Sequence, residues 1–128
     1  MKQEIKDDQT IGEVQEIFHQ LFPFLRVDFF ERNTHGLVKN KFSRPVMNRK
    51  KLLGEFRLDT IDGGELKIEK DLKVKEFEQY IDSTYCLHAQ IFRLSGNVWL
   101  ATTVTNDWTL EEQNRQGELI TMQMSHHN

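Results

Sequence analysis

The stretch Leu53–Ile68, which reads LGEFRLDTIDGGELKI, lies at the centre of the chain. It predicts a strand, a tight turn at Asp62-Gly63-Gly64 and a second strand, because glycine supplies the positive φ that short hairpin turns need. The residues before and after this stretch show a similar order of apolar and polar positions. We therefore expect a central hairpin that joins two similar halves.

Length, composition and charge bound the class of protein. The chain has 128 residues, of which 38% are hydrophobic and 29% charged, as in a soluble domain or two very small halves that share a core. A net charge of −3 gives no general attraction to nucleic acid or anionic membrane. The single cysteine, Cys86, cannot form an intramolecular disulfide. With no apolar run of signal-peptide or bilayer length, we expect a cytoplasmic protein without membrane contact.

The first half predicts a strand near Ile5, a helix, a hairpin and a short second helix. The sequence of residues 10–13, TIGE, is typical of a capping box, and apolar residues follow at helical spacing until Pro23 ends the helix. Alternation indicates the next strand, which carries Leu25, Val27 and Phe29. A returning strand is expected at 37–42. Between Pro45 and Gly54 we expect a short helix that carries Met47, Leu52 and Leu53.

The second half predicts the same order of elements. These are a strand at 66–68, a helix marked by residues 74–85, a strand at 87–91, a turn at 95–97, a strand at 98–104, a short helix that begins at Asp107 or Thr109 and ends before Gly117, and a final strand at 118–122. An offset of 63 residues places Ile11 on Val74 and Gly54 on Gly117, with one residue removed near Pro23.

The expected fold is therefore α+β with two tandem pseudo-repeats, each roughly β-α-β-β-(short α)-β, with helices on one face of an antiparallel or mixed sheet. The first repeat is expected at 1–59, the second at 64–122 and a flexible tail at 123–128. Convergent patterning of two unrelated halves is the alternative, since any two such units share apolar spacing. The glycine-glutamate pairs at 54–55 and 117–118 favour a true repeat.

The basic residues are concentrated in one segment. Seven of the 17 Lys and Arg lie in 32–51, which has no acidic residue, whereas 96–114 has no Lys or Arg and carries Asp107, Glu111 and Glu112. The functional interpretation is a surface that faces an anionic partner. The alternative is an ordinary solvated surface.

Aromatic residues are expected on the outward face of the sheet. The alternation that buries Leu25 and Leu87 turns Arg26, Asp28, Phe30, His88, Gln90, Phe92 and Leu94 outward, and Trp99 follows across a hairpin. Such rings could stack on the bases of single-stranded nucleic acid. The lysine-or-arginine, glycine, aromatic signature of such domains is missing, and large aromatics more often fill cores.

No catalytic, metal or cofactor motif is present, so we expect no cofactor and favour a non-catalytic protein. The leading hypothesis is a small protein that binds another protein through a basic patch. The candidate contact residues are Lys39, Lys41, Arg44, Arg49, Lys50 and Lys51, with Trp99 and Trp108 as anchors. One alternative is single-stranded nucleic-acid binding through the same patch. Another is an enzyme or small-ligand protein with a site between the halves, and a homo-oligomer is also compatible with the sequence.

Overall fold

The computed structural model describes residues 3–32, 42–57 and 66–125. These residues form an α+β fold with three α-helices, one 3-10 helix and two antiparallel sheets. The elements in chain order are β1 (Gln3–Glu4), α1 (Ile11–Leu21), β2 (Leu25–Arg32), β3 (Phe42–Pro45), the 3-10 helix Leu53–Phe56, β4 (Lys67–Ile68), α2 (Val74–Tyr85), β5 (Leu87–Ser95), β6 (Val98–Ala101) and α3 (Leu110–Ser125).

The main sheet has the strand order β3-β2-β5-β6, and each neighbouring pair is antiparallel. Its centre is the β2–β5 ladder, in which Val27 lies opposite Ile91 and Phe29 lies opposite Ala89. These inward-facing residues are buried beneath the helices, because alternate side chains of a strand point to one face. The small second sheet pairs β1 with β4.

Helices α1 and α2 bury their apolar stripes against the inward face of the main sheet, and α1 begins at a side-chain cap. Thr10 accepts a hydrogen bond from the Glu13 amide while the Glu13 carboxylate accepts one from Thr10, so the predicted capping box is present. Phe18 of α1 meets Phe77 of α2 with ring centroids 5.4 Å apart, and both residues are fully buried. The core is therefore continuous between the two halves of the chain.

The predicted first strand of the central hairpin is wrong at residues 53–56, which form the 3-10 helix, and its residues 58–61 lie outside the described residues. The second strand, β4, pairs with β1. The reason is packing: Gly54 lies so close to Asp7 that a Cβ at Gly54 would be 2.9 Å from the Asp7 Cβ, and the Gly54 amide bonds to the Asp7 carbonyl. The turn at Asp62-Gly63-Gly64 lies outside the described residues.

Two further predictions are wrong in their secondary structure. Pro45 ends β3, so it does not begin a helix, and Met47 is 82% exposed in an irregular connection. The expected final strand at 118–122 is part of α3, which continues to Ser125. Gly117 does not stop this helix; it lies within α3, where a Cβ would be 2.9 Å from the Phe24 Cβ. In the second half a helix therefore replaces the closing strand of the expected element order.

Candidate functional site

The face of the main sheet opposite the helices carries a mixed polar and aromatic surface. Since Leu25, Val27 and Phe29 are buried under the helices, the alternate residues of β2 point the other way, and their partners on β5 do the same. The side chains on this outward face are half-buried and comprise Arg26, Asp28, Phe30, His88, Gln90 and Phe92. This placement agrees with the alternation in the sequence.

Arg26 lies at the centre of this face between two aromatic rings. Its guanidinium carbon is 5.3 Å from the ring centroid of Phe92 and 5.3 Å from that of Trp99, both within the range of a cation–π interaction. One terminal nitrogen donates to Asp28 Oδ2 at 2.9 Å. The Trp99 ring also meets His19 edge-on, with centroids 6.2 Å apart. Arg26 is thereby held flat against the sheet.

The free edge of β2 next to Arg26 is capped by side chains from α1. Gln15 Nε2 donates to the Val27 carbonyl at 3.0 Å, and His19 Nδ1 lies 2.9 Å from the Leu25 carbonyl. Gln15 Oε1 in turn accepts a hydrogen bond from Nε of Arg49 at 2.9 Å. An open cavity of about 300 Å³ results, and it is lined by Gln15, Arg26, Val27, Asp28 and Arg49.

The structure brings two of the predicted contact residues, Arg49 and Trp99, to the two sides of Arg26. Lys50 lies beside Arg49 and is exposed, whereas Lys51 places its ammonium 4.8 Å from the ring centroid of Phe56. We call the surface formed by Arg26, Arg49, Asp28, Phe92 and Trp99 the arginine–tryptophan surface.

The other predicted contact residues are not part of this surface as described. Lys39 and Lys41 lie outside the described residues, and of Arg44 only the backbone, paired with Glu31, is described. Trp108 lies on the helix side of the sheet, where the Arg93 guanidinium is 5.8 Å from its ring. Its backbone carbonyl accepts the amide of Val74, so Trp108 holds the start of α2 in place.

Arg26 is the residue that reasoning from sequence left out of the site. Alternation predicts that Arg26 lies on the outward face. Its contacts, however, depend on the register that places Arg26 opposite Phe92 of β5 and Phe92 opposite Ala101 of β6. Register is set by long-range pairing and by turn geometry. A single arginine between buried apolar positions in a strand, with aromatic residues predicted on the neighbouring strands, was the available signal.

Two carboxyl groups with shifted pKa values, those of Glu78 and Asp7, lie away from this surface. Burial raises the pKa of Glu78 on α2 to about 7, although a backbone hydrogen bond from Ile91 opposes the shift. Burial also raises the pKa of Asp7, but hydrogen bonds from Tyr85 and Arg57, both at 2.7 Å, outweigh it and the net shift is downward. These hydrogen bonds link residues that are distant in sequence. Neither Glu78 nor Asp7 lines the cavity beside the arginine–tryptophan surface.

Among the described residues, the helix contact between the two halves is apolar. Where α1 faces α2, the contact is apolar, with Phe18 against Phe77 and with Ile11 and Val74 fully buried. In the described part of the chain, no three His, Cys, Asp or Glu side chains are grouped to hold a metal ion.

No protein-family model, curated protein or solved structure matches this chain. Among the described helices, none combines the length and the apolar character that crossing a membrane requires.

Proposed function

We propose that this chain is a non-catalytic binding protein that recognises another protein through the arginine–tryptophan surface. The observation that carries the proposal is the position of Arg26, which lies over Phe92 and Trp99 and also lines the cavity with Arg49. One of the predicted basic residues and one of the predicted aromatic anchors thus belong to one continuous surface. Arginine and tryptophan are enriched among the residues that dominate protein–protein binding energy.

The chemistry of the surface favours a partner with an exposed carboxylate next to an apolar side chain. Arg49 is exposed and lines the cavity, and the Arg26 side chain is 44% exposed despite its ion pair with Asp28. Planar guanidinium groups bind carboxylates with two parallel hydrogen bonds. An acidic segment would also be attracted by the neighbouring Lys50 and Lys51, which follow Arg49 in the same turn.

A protein partner fits this surface better than single-stranded nucleic acid does. Base stacking requires an open ring face, and the Arg26 guanidinium already lies over the rings of Phe92 and Trp99.

The experiment is a selection of displayed random peptides on the wild-type protein, followed by affinity measurements on the selected sequences. We expect enrichment of Asp and Glu, and a severalfold loss of affinity between 50 and 500 mM salt, since exposed charges are screened. Arg49→Glu should weaken binding at least tenfold. The matched control is Lys70→Glu, which makes the same charge change at an exposed site before α2.

Two results would contradict the proposal. One is a set of selected peptides whose affinity is unaffected by Arg49→Glu, or equally reduced by the Lys70→Glu control. The other is tight binding of an oligothymidylate at low salt that competes with the peptides, which would favour the nucleic-acid alternative.

We also infer that the two halves are copies of one ancestral unit, an inference supported by recurring backbone hydrogen bonds. In the first half the amides of Ile11 and Gly12 donate to the carbonyls of Lys51 and Arg49. In the second half the amides of Val74 and Lys75 donate to Trp108 and Asn106. Donors differ by 63 positions and acceptors by 57 in both pairs.

Two further bonds recur with the roles exchanged, so that the donors differ by 57 positions and the acceptors by 63. Leu53 and Gly54 donate to Gln9 and Asp7, while Leu110 and Glu111 donate to Leu72 and Lys70. Isolated bridges also recur, at Thr10–Leu52 and at Lys73–Thr109. In this alignment Gly54 corresponds to Glu111 instead of Gly117. The repeat bounds 1–59 and 64–122 stay a prediction, and an experimental structure in which these bonds fail to recur would contradict the inference.

A further inference from the structure

The two edge strands of the main sheet are protected very differently. β3 ends at Pro45, a residue without an amide hydrogen, and proline at an edge is a common device against edge-to-edge pairing. β6 presents Val-Trp-Leu-Ala, and the sequence after it has no charged residue or proline before Asp107. Val98 and Leu100 are 52% and 45% exposed. An uncharged, apolar edge of this kind is a template for another strand.

The register of β6 shows which backbone groups face outward. The Thr102 amide donates to the Ile91 carbonyl on β5, and successive backbone groups in a strand point to opposite sides. Val98 and Leu100 therefore direct their amide and carbonyl groups toward β5. The corresponding groups of Trp99 and Ala101 point to the outer edge of the sheet, where no other strand of the described residues pairs with β6.

We propose that β6 pairs antiparallel with β6 of a second copy, with the twofold axis at Leu100. This register places Trp99 opposite Ala101 of the second copy and lets the outward groups of both residues form four inter-chain hydrogen bonds. Leu100 then lies opposite its own counterpart as a non-hydrogen-bonded pair, in which side chains are closest. The result is a continuous eight-stranded sheet.

The sequence of β6 is complementary to itself, which identifies a second copy as the occupant. In the proposed register Trp99 lies opposite the small Ala101 with its ring turned inward over Arg26, and apolar Leu100 meets apolar Leu100 on the helix side of the sheet. No charge is brought against a like charge, because β6 carries none. A twofold interface requires a patch that matches itself in this way.

The pairing goes beyond the proposed binding function and is compatible with it. It uses the backbone of Trp99, whereas the arginine–tryptophan surface uses its ring. Two copies of that surface would lie on the same face of the joined sheet. Because the pairing is measured by mass and cross-linking without any peptide, its failure and that of peptide recognition are distinguishable.

The first test is the molar mass in solution, measured by light scattering. We expect wild type at about 100 μM, where a dimer of micromolar Kd is largely formed, to have twice the 15.2 kDa chain mass. Ala101→Pro removes an outward amide without removing a β5 bond, and it should give the monomer mass with an unchanged circular dichroism spectrum. Val104→Lys is the control, since Val104 is 95% exposed beyond the strand, and it should remain dimeric.

The second test examines the register and does not depend on how the proline variant folds. In a Cys86→Ser background, Leu100→Cys should oxidise rapidly to a disulfide-linked dimer, because Cβ atoms of such a pair are about 4.5 to 5.5 Å apart. Val98→Cys should not, since four positions along a strand separate its counterparts by about 13 Å. A monomeric wild type, a dimeric Ala101→Pro, or equal oxidation of the two cysteine variants would overturn the proposal.

Discussion

At the scale of single residues, Gln15 and Glu78 hold corresponding positions on α1 and α2, yet they differ in charge. Gln15 donates to the Val27 carbonyl at the free edge of β2, and Glu78 accepts a hydrogen bond from the Ile91 backbone on β5. Their numbers differ by 63, the offset of the recurring bonds. Each side chain forms a hydrogen bond with a strand's backbone group at a point beyond the end of the neighbouring strand. Of the two, only Glu78 has a charged form, and burial disfavours that form.

This difference predicts the pH dependence of stability. The folded-state pKa of Glu78 is raised from 4.5 to about 7, so its stabilising contribution is complete below the unfolded value and is lost as the pH rises through 7. Glu78→Gln should therefore raise the free energy of unfolding at pH 8 by about 1 to 2 kcal/mol, after allowance for partial exposure. At pH 4 the two proteins should be equal. Urea unfolding at both pH values checks this, and an equal difference at both would contradict it.

Tyr85 illustrates how one hydroxyl links distant parts of the chain. It donates to Asp7 at 2.7 Å, and Arg57 completes the cluster from beyond the 3-10 helix. Tyr85→Phe should lower the free energy of unfolding by about 1 kcal/mol, because the carboxylate stays partly solvated. Ser83→Ala, which removes an exposed hydroxyl that donates to the Gln79 carbonyl of the same helix, serves as the comparison. An unchanged stability in Tyr85→Phe would show that solvent replaces this hydrogen bond.

At the scale of elements, α3 depends on a glycine in its middle. A Cβ at Gly117 would be 2.9 Å from the Phe24 Cβ and 3.0 Å from the Arg93 Cγ, so a side chain there would push the helix from the sheet. Phe24 and Arg93 cannot move easily, since the Phe24 amide donates to Asn114 and Arg93 donates to Gln113.

Gly117→Ala should therefore destabilise the fold although alanine is the better helix former. We expect a loss of about 1 to 3 kcal/mol in the free energy of unfolding, as for other overpacked sites, against a propensity gain of about 1 kcal/mol. Glu118→Ala, at the exposed neighbouring position, should be within about 0.5 kcal/mol of wild type. Thermal unfolding compares the two, and a stabilised Gly117→Ala would contradict the close packing.

The elements with strong local signals could be predicted, and those decided by tertiary contacts could not. The capping box at Thr10 and the apolar stripes fixed α1 and α2, and alternation identified β2 and β5. Gly54 and Gly117 were interpreted as helix stops, since glycine often follows a helix end. Both instead mark close contacts, with Asp7 and with Phe24, which only the folded chain brings together.

At the scale of the whole molecule, the hairpin lengths explain why a single offset could not align the halves. The amide of Val46 donates to the Phe29 carbonyl, and the amide of Thr102 donates to the Ile91 carbonyl. Between these two bonds the donors differ by 56 positions and the acceptors by 62. The β2–β3 connection is therefore six residues longer than the β5–β6 connection. The basic turn at 49–51 corresponds to 106–108, where the chain has Asn, Asp and Trp. At these positions the first half therefore carries three basic residues and the second half carries Asp107.

The central claim is that a protein partner binds the arginine–tryptophan surface, and the two tryptophans allow a direct test. Trp99 lies on that surface, whereas Trp108 lies against Arg93 on the helix side. In a two-dimensional NMR titration with the tightest selected acidic peptide, the indole N–H signal of Trp99 should shift or broaden while that of Trp108 stays in place. A Trp108 signal that moves while Trp99 remains unchanged would contradict the account.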